Sequence, residues 1–533
     1  MRFEEKLKKN SSAELWGEYC GFLELDIQQF MHIQRRLMEE QIGLWSASGL
    51  GQRLLKGQTP RSFDEFRQAL PLTTYADYAD VLLQKQSHLL PGDPVIWIQT
   101  TWEGGKHPIK IAPYTQSMLN TYRANVIAIL MLSTSFEKGR FNLSPRMRAL
   151  YGCAPLPYAT GILPLLLDEE IKINFLPPAS EAVKMSFGER NRKGFAMGLH
   201  EGIDLFFGVS SVANYITESF ESSVKKGGGG LKSAIGFAPS MLVRFLSARY
   251  KAKRDGRPLL PRDVFRLKGF VCAGTDSSAY RPSLESGWGV KPLMIAAGTE
   301  PTCIGTESWE RNGLYFFPDA CFYEFIPESE MNKNAANPSY QPKTCLLDEV
   351  SAHQNYELAL TVFKGGAFAR YRVGDMYRCI SLGGLSDTVK LPRFELIDRV
   401  PSVIDIAGFT RITQNSIEEI IRLSGLAIDD WIAKKEFTDT GRPFLHMYVE
   451  IASRVIERQA TDLEVLTSHF STYFKYMDSD YHDLKRLLGV EPLKISLLRH
   501  GAVRDYEEKT GQKLRRINPT DFELAQLLKF QSM

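Results

Sequence analysis

The residues best equipped for chemistry stand together in Tyr371-Arg372-Val373-Gly374-Asp375. Arg372 supplies a cation, Asp375 a carboxylate, and Gly374 between them a backbone free to bend sharply. An ionised carboxylate accepts two hydrogen bonds at once, as from the paired hydroxyls of a ribose. The motif follows a strand-forming run from Tyr356 to Phe363 and a Lys364-Gly365-Gly366 turn. Two apolar runs joined by such a turn predict a hairpin. On that reading Arg372, Gly374 and Asp375 collect where the second strand ends, the edge at which α/β sheets bind ligands. A surface hairpin held by an Arg–Asp ion pair accounts for the same residues.

A second candidate lies between Gln99 and Lys110, after the buried-strand signal Val95-Ile96-Trp97-Ile98. Thr100, Thr101, Gly104, Gly105 and Lys106 have the layout of a phosphate-cradling loop. Small residues let backbone N–H groups approach an anion, and the lysine adds charge. Trp102 and Glu103 oppose that reading, because one fills the space and the other repels phosphate. An ordinary hairpin turn is the competing assignment. Two more strand ends carry small residues. Leu267 to Cys272 leads into Ala273-Gly274-Thr275-Asp276, and Pro292 to Ile295 leads into Ala296-Ala297-Gly298-Thr299-Glu300. Lys225-Lys226 and the four glycines after it have neither hydroxyls nor a preceding strand, and read as a connector.

The elements that must position these residues follow from periodicity. Ser12 to Leu55 is helical in pattern, with Leu23, Leu25, Ile27, Phe30, Ile33 and Leu37 apolar. Ser62 caps a short helix carrying Phe63, Phe66 and Leu70, which Pro71 stops. Leu72 to Tyr78 is a second capped helix start, and Thr115 is placed to cap a helix that turns Met118, Tyr122, Val126, Ile129 and Leu130 inward. Short apolar strands ending in small residues, separated by helices, predict a mostly parallel sheet. Phe322 to Ile326, Phe394 to Val400 and Ile404 to Phe409 add strands, and Ser416 to Ile420 opens a helix with Ser-x-x-Glu spacing. A hinge between Asp398 and Pro401 would divide a large unit, 1–398, from a smaller α/β unit, 399–533.

Bulk composition narrows the function. A chain of 533 residues, 44% hydrophobic and 24% charged, builds more than one core and is not disordered. Its 65 basic residues nearly balance 62 acidic ones, which gives no electrostatic footprint for nucleic acid. The seven cysteines contain no Cys-x-x-Cys pair, which suits a reducing cytosol and argues against a zinc site. The charged stretch Met1 to Asn10 lacks the centre of a signal peptide. Runs such as Val126 to Leu132 are too short to span a bilayer. A cytoplasmic protein without membrane or nucleic-acid partners is expected.

The order of these features resembles the Gretchen Hagen family of acyl-acid amido synthetases, the auxin-responsive-promoter family within the adenylate-forming superfamily. The resemblance runs from Phe30 to Lys513. Its early marker is Phe63 to Tyr78, similar to the family's Pro-Leu-Thr-Thr-Tyr-x-Asp-Tyr ending, and its strongest is Tyr356 to Asp375 followed by Phe394 to Gly408. It implies an α/β fold with a large N-terminal domain and a small mobile C-terminal one. It implies an ATP- and Mg²⁺-dependent ligase that converts a small carboxylic acid to an acyl-adenylate and passes the acyl group to an amine or amino acid. Asp375 would bind the ribose, Thr299 the α-phosphate, and Glu300 the Mg²⁺ as a catalytic carboxylate. Ala273, Gly274 and Thr275 would lie beside adenine, Arg399 at the hinge within reach of the ribose, and Lys513 would be the C-terminal catalytic lysine.

Three departures stand against that pattern. Thr101-Trp102-Glu103-Gly104 replaces the family's Ser/Thr-Ser-Gly-Thr/Ser-Ser/Thr-Gly loop, so Glu103 must turn away or pair with Lys106 or His107. Ala296 stands where an aromatic ring stacks on adenine. Lys513-Leu514-Arg515-Arg516 replaces Lys-x-Pro-Arg, which makes Arg515 and Arg516 rivals of Lys513. The alternative these departures motivate is a homologue that no longer adenylates, and that binds or transfers an already activated acyl group.

Overall fold

A computed structural model describes residues 1–100, 103, 106–226, 238–384, 387–408, 410–439, 441–452, 456–477, 492–511 and 513–531. The chain divides into two compact units, Met1–Thr100 with Lys110–Ile397 and Thr101–Ile109 with Asp398–Met533.

An eleven-stranded mixed sheet organises the first unit. Strands Asn174–Leu176, Arg148–Gly152, Leu205–Val209, Gly269–Ala273 and Leu293–Gly298 are parallel in that spatial order. Beyond them the sheet turns antiparallel. Thr302–Glu307, Leu314–Phe316 and Arg393–Arg399 follow, and then Tyr371–Ser381, Asn355–Val362 and Cys321–Pro327. The sheet is therefore mixed and not mostly parallel. Chain length between strands explains it: the few residues from Gly298 to Thr302, or from Glu307 to Leu314, have no room for a crossover helix and must return antiparallel.

The expected helical run from Ser12 to Leu55 breaks into Ser12–Cys20, Ile27–Ala47 and Gly49–Leu54. Asp26 caps the longest of these through a reciprocal box with Gln29. Its buried glutamines tie it to the sheet. Gln34 donates to the carbonyls of Pro318 and Cys321, and Gln41 bonds the peptides of Gly365 and Gly366. Thr115 caps the helix Gln116–Ser133 by accepting the Met118 N–H, as its position predicts.

The predicted hairpin forms, but its chemistry sits elsewhere along it. Tyr371 opens a strand that continues to Ser381, so Asp375 does not mark a strand end. Glu357 pairs with Met376 while Ala359 pairs with Arg372, which sets Leu358 opposite three residues, Val373, Gly374 and Asp375. This bulge bends the strand at Gly374, whose φ of +83° favours glycine.

The strand's first residues are fixed by a buried ion pair. Arg370, 5% exposed, donates from Nε (3.0 Å) and Nη2 (2.8 Å) to the carboxylate of Glu324, 0% exposed. Its Nη1 donates to the carbonyls of Arg67 and Leu70 at the end of helix Phe63–Ala69. Thr344 completes the shell by donating to Glu324.

The second unit contains a three-stranded sheet, with Pro443–Ile451 between antiparallel Ile428–Phe437 and parallel Leu493–Leu497. Ile432, Tyr448, Val503, Tyr506 and Leu527 share its core. Val403–Ile406 and Thr410–Thr413 form a separate hairpin. The helix after it spans Gln414–Ser424, and its cap is Thr413, paired with Ser416. The Ser416-x-x-Glu419 spacing does not define the helix start, because the Thr413 hydroxyl reaches the orphan N–H groups one turn earlier. Among the described residues no helix is long and apolar enough to cross a membrane.

Arg370→Leu leaves Glu324 charged and buried without its cation, and should destabilise the protein by about 3–5 kcal/mol. Joint replacement of Arg370 and Glu324 by leucine should recover part of that loss. Denaturant unfolding of both variants tests the pair, and equal midpoints for parent and Arg370→Leu would remove its structural role.

Candidate nucleotide-binding site

Thr299 and Glu300 occupy the tight turn between strands Leu293–Gly298 and Thr302–Glu307. Three tyrosines surround this turn. The Tyr371 hydroxyl donates to Glu300 Oε1 at 2.8 Å, and the Tyr114 hydroxyl donates to the Thr299 carbonyl at 2.5 Å. Tyr75 accepts the Ile111 N–H at 2.7 Å. Burial, opposed by its bond to Ile111 and reinforced by the Glu300 charge, pushes the Tyr75 phenol up to about 12. Burial and then Glu300 raise Tyr114 well above its ordinary value. Both phenols therefore stay neutral through the physiological range. Glu300 carries the negative charge of this buried nest, and a carboxylate so placed attracts a cation.

Asp375 is half-buried on the bulge of the same strand that Tyr371 opens. Arg372 makes no ion pair with it. The guanidinium binds Glu357 through Nε (2.7 Å) and Nη2 (2.6 Å), and Asn334 through Nη1 (2.7 Å). The Arg–Asp hairpin of the plain sequence reading is thus not the arrangement found.

Ala273 ends the strand Gly269–Ala273, and Gly274 and Thr275 after it line a cavity of about 340 Å³. Gly274 adopts φ +123°, and its carbonyl accepts the Ser277 hydroxyl at 2.6 Å. Ile295 and Leu396 supply apolar lining. Arg281 and the buried Glu307 form the polar end: Glu307 accepts from Arg281 (2.7 Å) and from the Met294 and Gly313 N–H groups. Ala296 is 2% exposed and does not line the cavity. Among the described residues the lining holds one aromatic ring, that of the fully buried Phe394.

Of the proposed phosphate loop, Thr101, Trp102, Gly104 and Gly105 lie outside the described residues. Thr100 is buried, its hydroxyl accepting the Lys110 N–H at 3.0 Å, and Pro94–Gln99 pairs antiparallel with Ile111–Thr115. The loop therefore does close a hairpin. Lys106 is exposed.

In the second unit, Glu103 meets a cation absent from the sequence reading. Arg411 Nη1 lies 3.5 Å from Glu103 Oε2, and Arg411 Nε lies 3.3 Å from Asp405 Oδ2. Asp405 is 1% exposed. Burial pushes its carboxyl up, but Arg411, Lys435 and Arg399, with the Gly408 N–H, hold it below the usual range. Arg399 donates its backbone N–H to Asp398 at 2.8 Å, and Lys435 Nζ stands 3.2 Å from the same carboxylate. Among the three C-terminal cations, Arg515 lies 3.7 Å from Glu523, and Arg516 binds Asp430 and the Trp431 carbonyl. Lys513 is exposed, and among the described residues no hydrogen bond or ion pair engages it.

The sequence reading missed Tyr75, Tyr114 and Arg411 as site residues. Tyr75 lies in the Leu72–Tyr78 helix start and Tyr114 just before the Thr115 cap, where neither carries a site signal, and Arg411 is separated from Glu103 by 308 positions, beyond any local signal.

Residues 314–399 match the family model of the GH3 family central domain, the stretch that holds the bulged strand and Asp375. No curated protein sequence matches the chain. Among solved structures, the chain is similar to AtGH3.15 acyl acid amido synthetase in complex with 2,4-DB, at 14% identity and TM-score 0.52, covering 96% of this chain and 95% of that one. It is also similar to 2-hydroxyisobutyryl-CoA ligase in complex with 2-HIB-AMP and CoA, at 14% identity and TM-score 0.57, covering 95% and 93%. The chain resembles the GH3 family over residues 314–399 and has the α/β fold of these two structures.

The Asp405 network sets a pH dependence. A carboxyl held low in the folded state contributes stability that is present above its unfolded pKa and is lost as pH falls through the folded value. The parent's unfolding midpoint should therefore drop below about pH 4. Asp405→Asn should lose about 3 kcal/mol at pH 7 and show a flatter acid limb. Parallel denaturation curves from pH 7 to pH 3 for the two proteins would exclude this role.

Proposed function

We propose that this chain is an ATP-dependent ligase that activates a carboxylic acid as an acyl-adenylate and transfers the acyl group to an amine. The observation that carries the reading is the Tyr371–Glu300 hydrogen bond. It ties the Thr299-Glu300 turn to the strand whose bulge presents Asp375. The fold and the match over residues 314–399 support it.

In the first step a carboxylate oxygen attacks the α-phosphorus of ATP and pyrophosphate leaves; in the second an amine attacks the acyl carbon and AMP leaves. Asp375 holds the ribose by accepting both hydroxyls, while Ala273, Gly274 and Thr275 border the base. Thr299 donates to the α-phosphate. Thr100, Thr101, Gly104, Gly105 and Lys106 are the residues we assign to the remaining phosphates. Lys513, which no hydrogen bond or ion pair engages among the described residues, is the residue we assign to the charge growing on the α-phosphate, and Arg399 is the one we assign to the ribose.

Mg²⁺ fits Glu300. The carboxylate is a hard oxygen donor fixed by Tyr371, with neutral phenols around it. Among the described residues no group of three or more His, Cys, Asp or Glu side chains could hold a metal, so the ion would share Glu300 with phosphate oxygens. When bound, it neutralises charge on the phosphates. We further assign Met1–Ile397 and Asp398–Met533, apart from the 101–109 loop, to the acyl-and-nucleotide domain and the small domain. The reading places the protein in the cytoplasm with small-molecule partners.

A second reading, a homologue that binds or transfers an already activated acyl group, is favoured by the buried Ala296 and by Glu103 in the loop. Calorimetric titration with ATP·Mg²⁺ separates them, and tight binding by the parent removes the second.

Pyrophosphate exchange across a panel of carboxylic acids should reveal at least one activated acid. Asp375→Ala should lower exchange about 100-fold, since two charge-assisted hydrogen bonds are lost. Glu300→Gln should raise the Mg²⁺ concentration for half-maximal exchange about tenfold, which corresponds to roughly 1.4 kcal/mol. Wild-type exchange by Asp375→Ala, or an unshifted metal titration, would overturn the assignment concerned.

A further inference from the structure

We propose that Glu436, His446 and Ser496 of the second unit form a nucleophilic triad that takes the acyl group of an activated ester onto the Ser496 hydroxyl. The three come from adjacent strands of the three-stranded sheet. Register pairs Lys434 with His446 and His446 with Lys494, and it pairs Tyr448 with Ser496. Side chains two residues apart share a face, so Glu436 stands diagonally to one side of His446 and Ser496 diagonally to the other. The contacts match that placement. His446 Nδ1 lies 2.7 Å from Glu436 Oε2, and His446 Nε2 lies 2.8 Å from Ser496 Oγ.

Proton positions follow from the partners. Glu436, although burial pushes its carboxyl up, is held below its ordinary value by His446 and Tyr448, so it is ionised and only accepts. Nδ1 must then carry the proton, which leaves the Nε2 lone pair to accept from Ser496 Oγ–H. Burial, joined by the Lys494 charge, keeps His446 below its usual pKa against the pull of Glu436, so the ring is a neutral base. Tyr448 locks the orientation, donating to Glu436 Oε1 at 2.8 Å while its ring packs 4.0 Å from the imidazole. His446 is 4% exposed, whereas Ser496 is half-buried on the outer strand of the three-stranded sheet.

A nucleophile bonded to a base, and a base bonded to an orienting carboxylate, is the arrangement that activates a serine. Ser496 Oγ attacks the ester carbonyl carbon as its proton passes to Nε2. Glu436 stabilises the imidazolium, and the leaving alcohol or phenol departs with that proton. Water then releases the acid from the acyl-serine. None of this uses ATP, so the triad and the ligase reading fail independently.

The test uses the full-length protein with a fluorophosphonate probe, and separately with p-nitrophenyl acetate read as a burst of p-nitrophenolate. One phosphonyl group per chain should appear on the Ser496 peptide by mass spectrometry, and it should be absent from Ser496→Ala. His446→Gln and Glu436→Gln should label about 100-fold more slowly or worse. Should His446→Gln fail to fold, Ser496→Ala and Glu436→Gln, checked by thermal unfolding, still decide. No label on Ser496, or equal labelling rates in parent and Glu436→Gln, would reduce the three residues to a buried hydrogen-bond network.

Discussion

The site in the first unit depends on one buried ion pair. Arg370 cannot leave Glu324 without stranding a charge in the core, and its remaining nitrogen grips the end of a helix far away in sequence. This fixes the backbone immediately before Tyr371. Thr73 and Tyr78 add to the constraint by donating to the Ala369 carbonyl, and Thr73 exchanges backbone hydrogen bonds with Arg370 and Arg372. From Ala369 to Arg372 the chain thus has little freedom, and the Tyr371 hydroxyl is delivered to Glu300 at 2.8 Å. A buried pair of this kind adds little net stability over an apolar replacement. Its value here is specificity of register, since a slip by one residue would swing Tyr371 to the other face.

Two carboxylates illustrate how the fold treats charge. Glu300 is buried among phenols that donate or stand neutral, so it keeps a net attraction for cations. Glu103 lies 3.5 Å from Arg411, which also faces the fully buried Asp405. Arg411 therefore answers two acids, and Lys435 and Arg399 supply the balance that keeps Asp405 ionised. On the ligase reading, a carboxylate engaged by Arg411 repels phosphate less than the bare sequence suggests.

Local signals were legible in the sequence and registers were not. The turn at Lys364-Gly365-Gly366 and the flanking apolar runs specify the hairpin within a short stretch. The bulge at Val373-Gly374-Asp375 arises only when Glu357 and Ala359 choose their partners, and Gly374 alone does not reveal it. The capping box shows the same limit on a smaller scale, because Thr413 and Ser416 each have cap chemistry and the geometry selects the earlier. Parallel pairing was overextended because strand composition does not encode direction; connection length does. The Glu436–His446–Ser496 cluster was invisible for a related reason, since its members meet only through two registers, one antiparallel and one parallel.

On the ligase reading, the absence of an aromatic ring at Ala296 can be weighed against what stands beside the cavity. Ala296 pairs across the sheet with Gly305, and its burial shows that its face is already packed. A large ring there would overpack this layer, so restoring the ring by one substitution is blocked. Stacking on a ring is worth about 1–3 kcal/mol. The cavity beside Gly274 and Thr275 instead offers the side chains of Ile295 and Leu396. A base held by aliphatic contact and backbone is bound with less orientational control, because aliphatic side chains lack the fixed plane of a ring. On the ligase reading, orientation then comes from the Asp375 proposed for the ribose, which makes the bulge, and hence the Arg370 pair behind it, the element on which that reading rests.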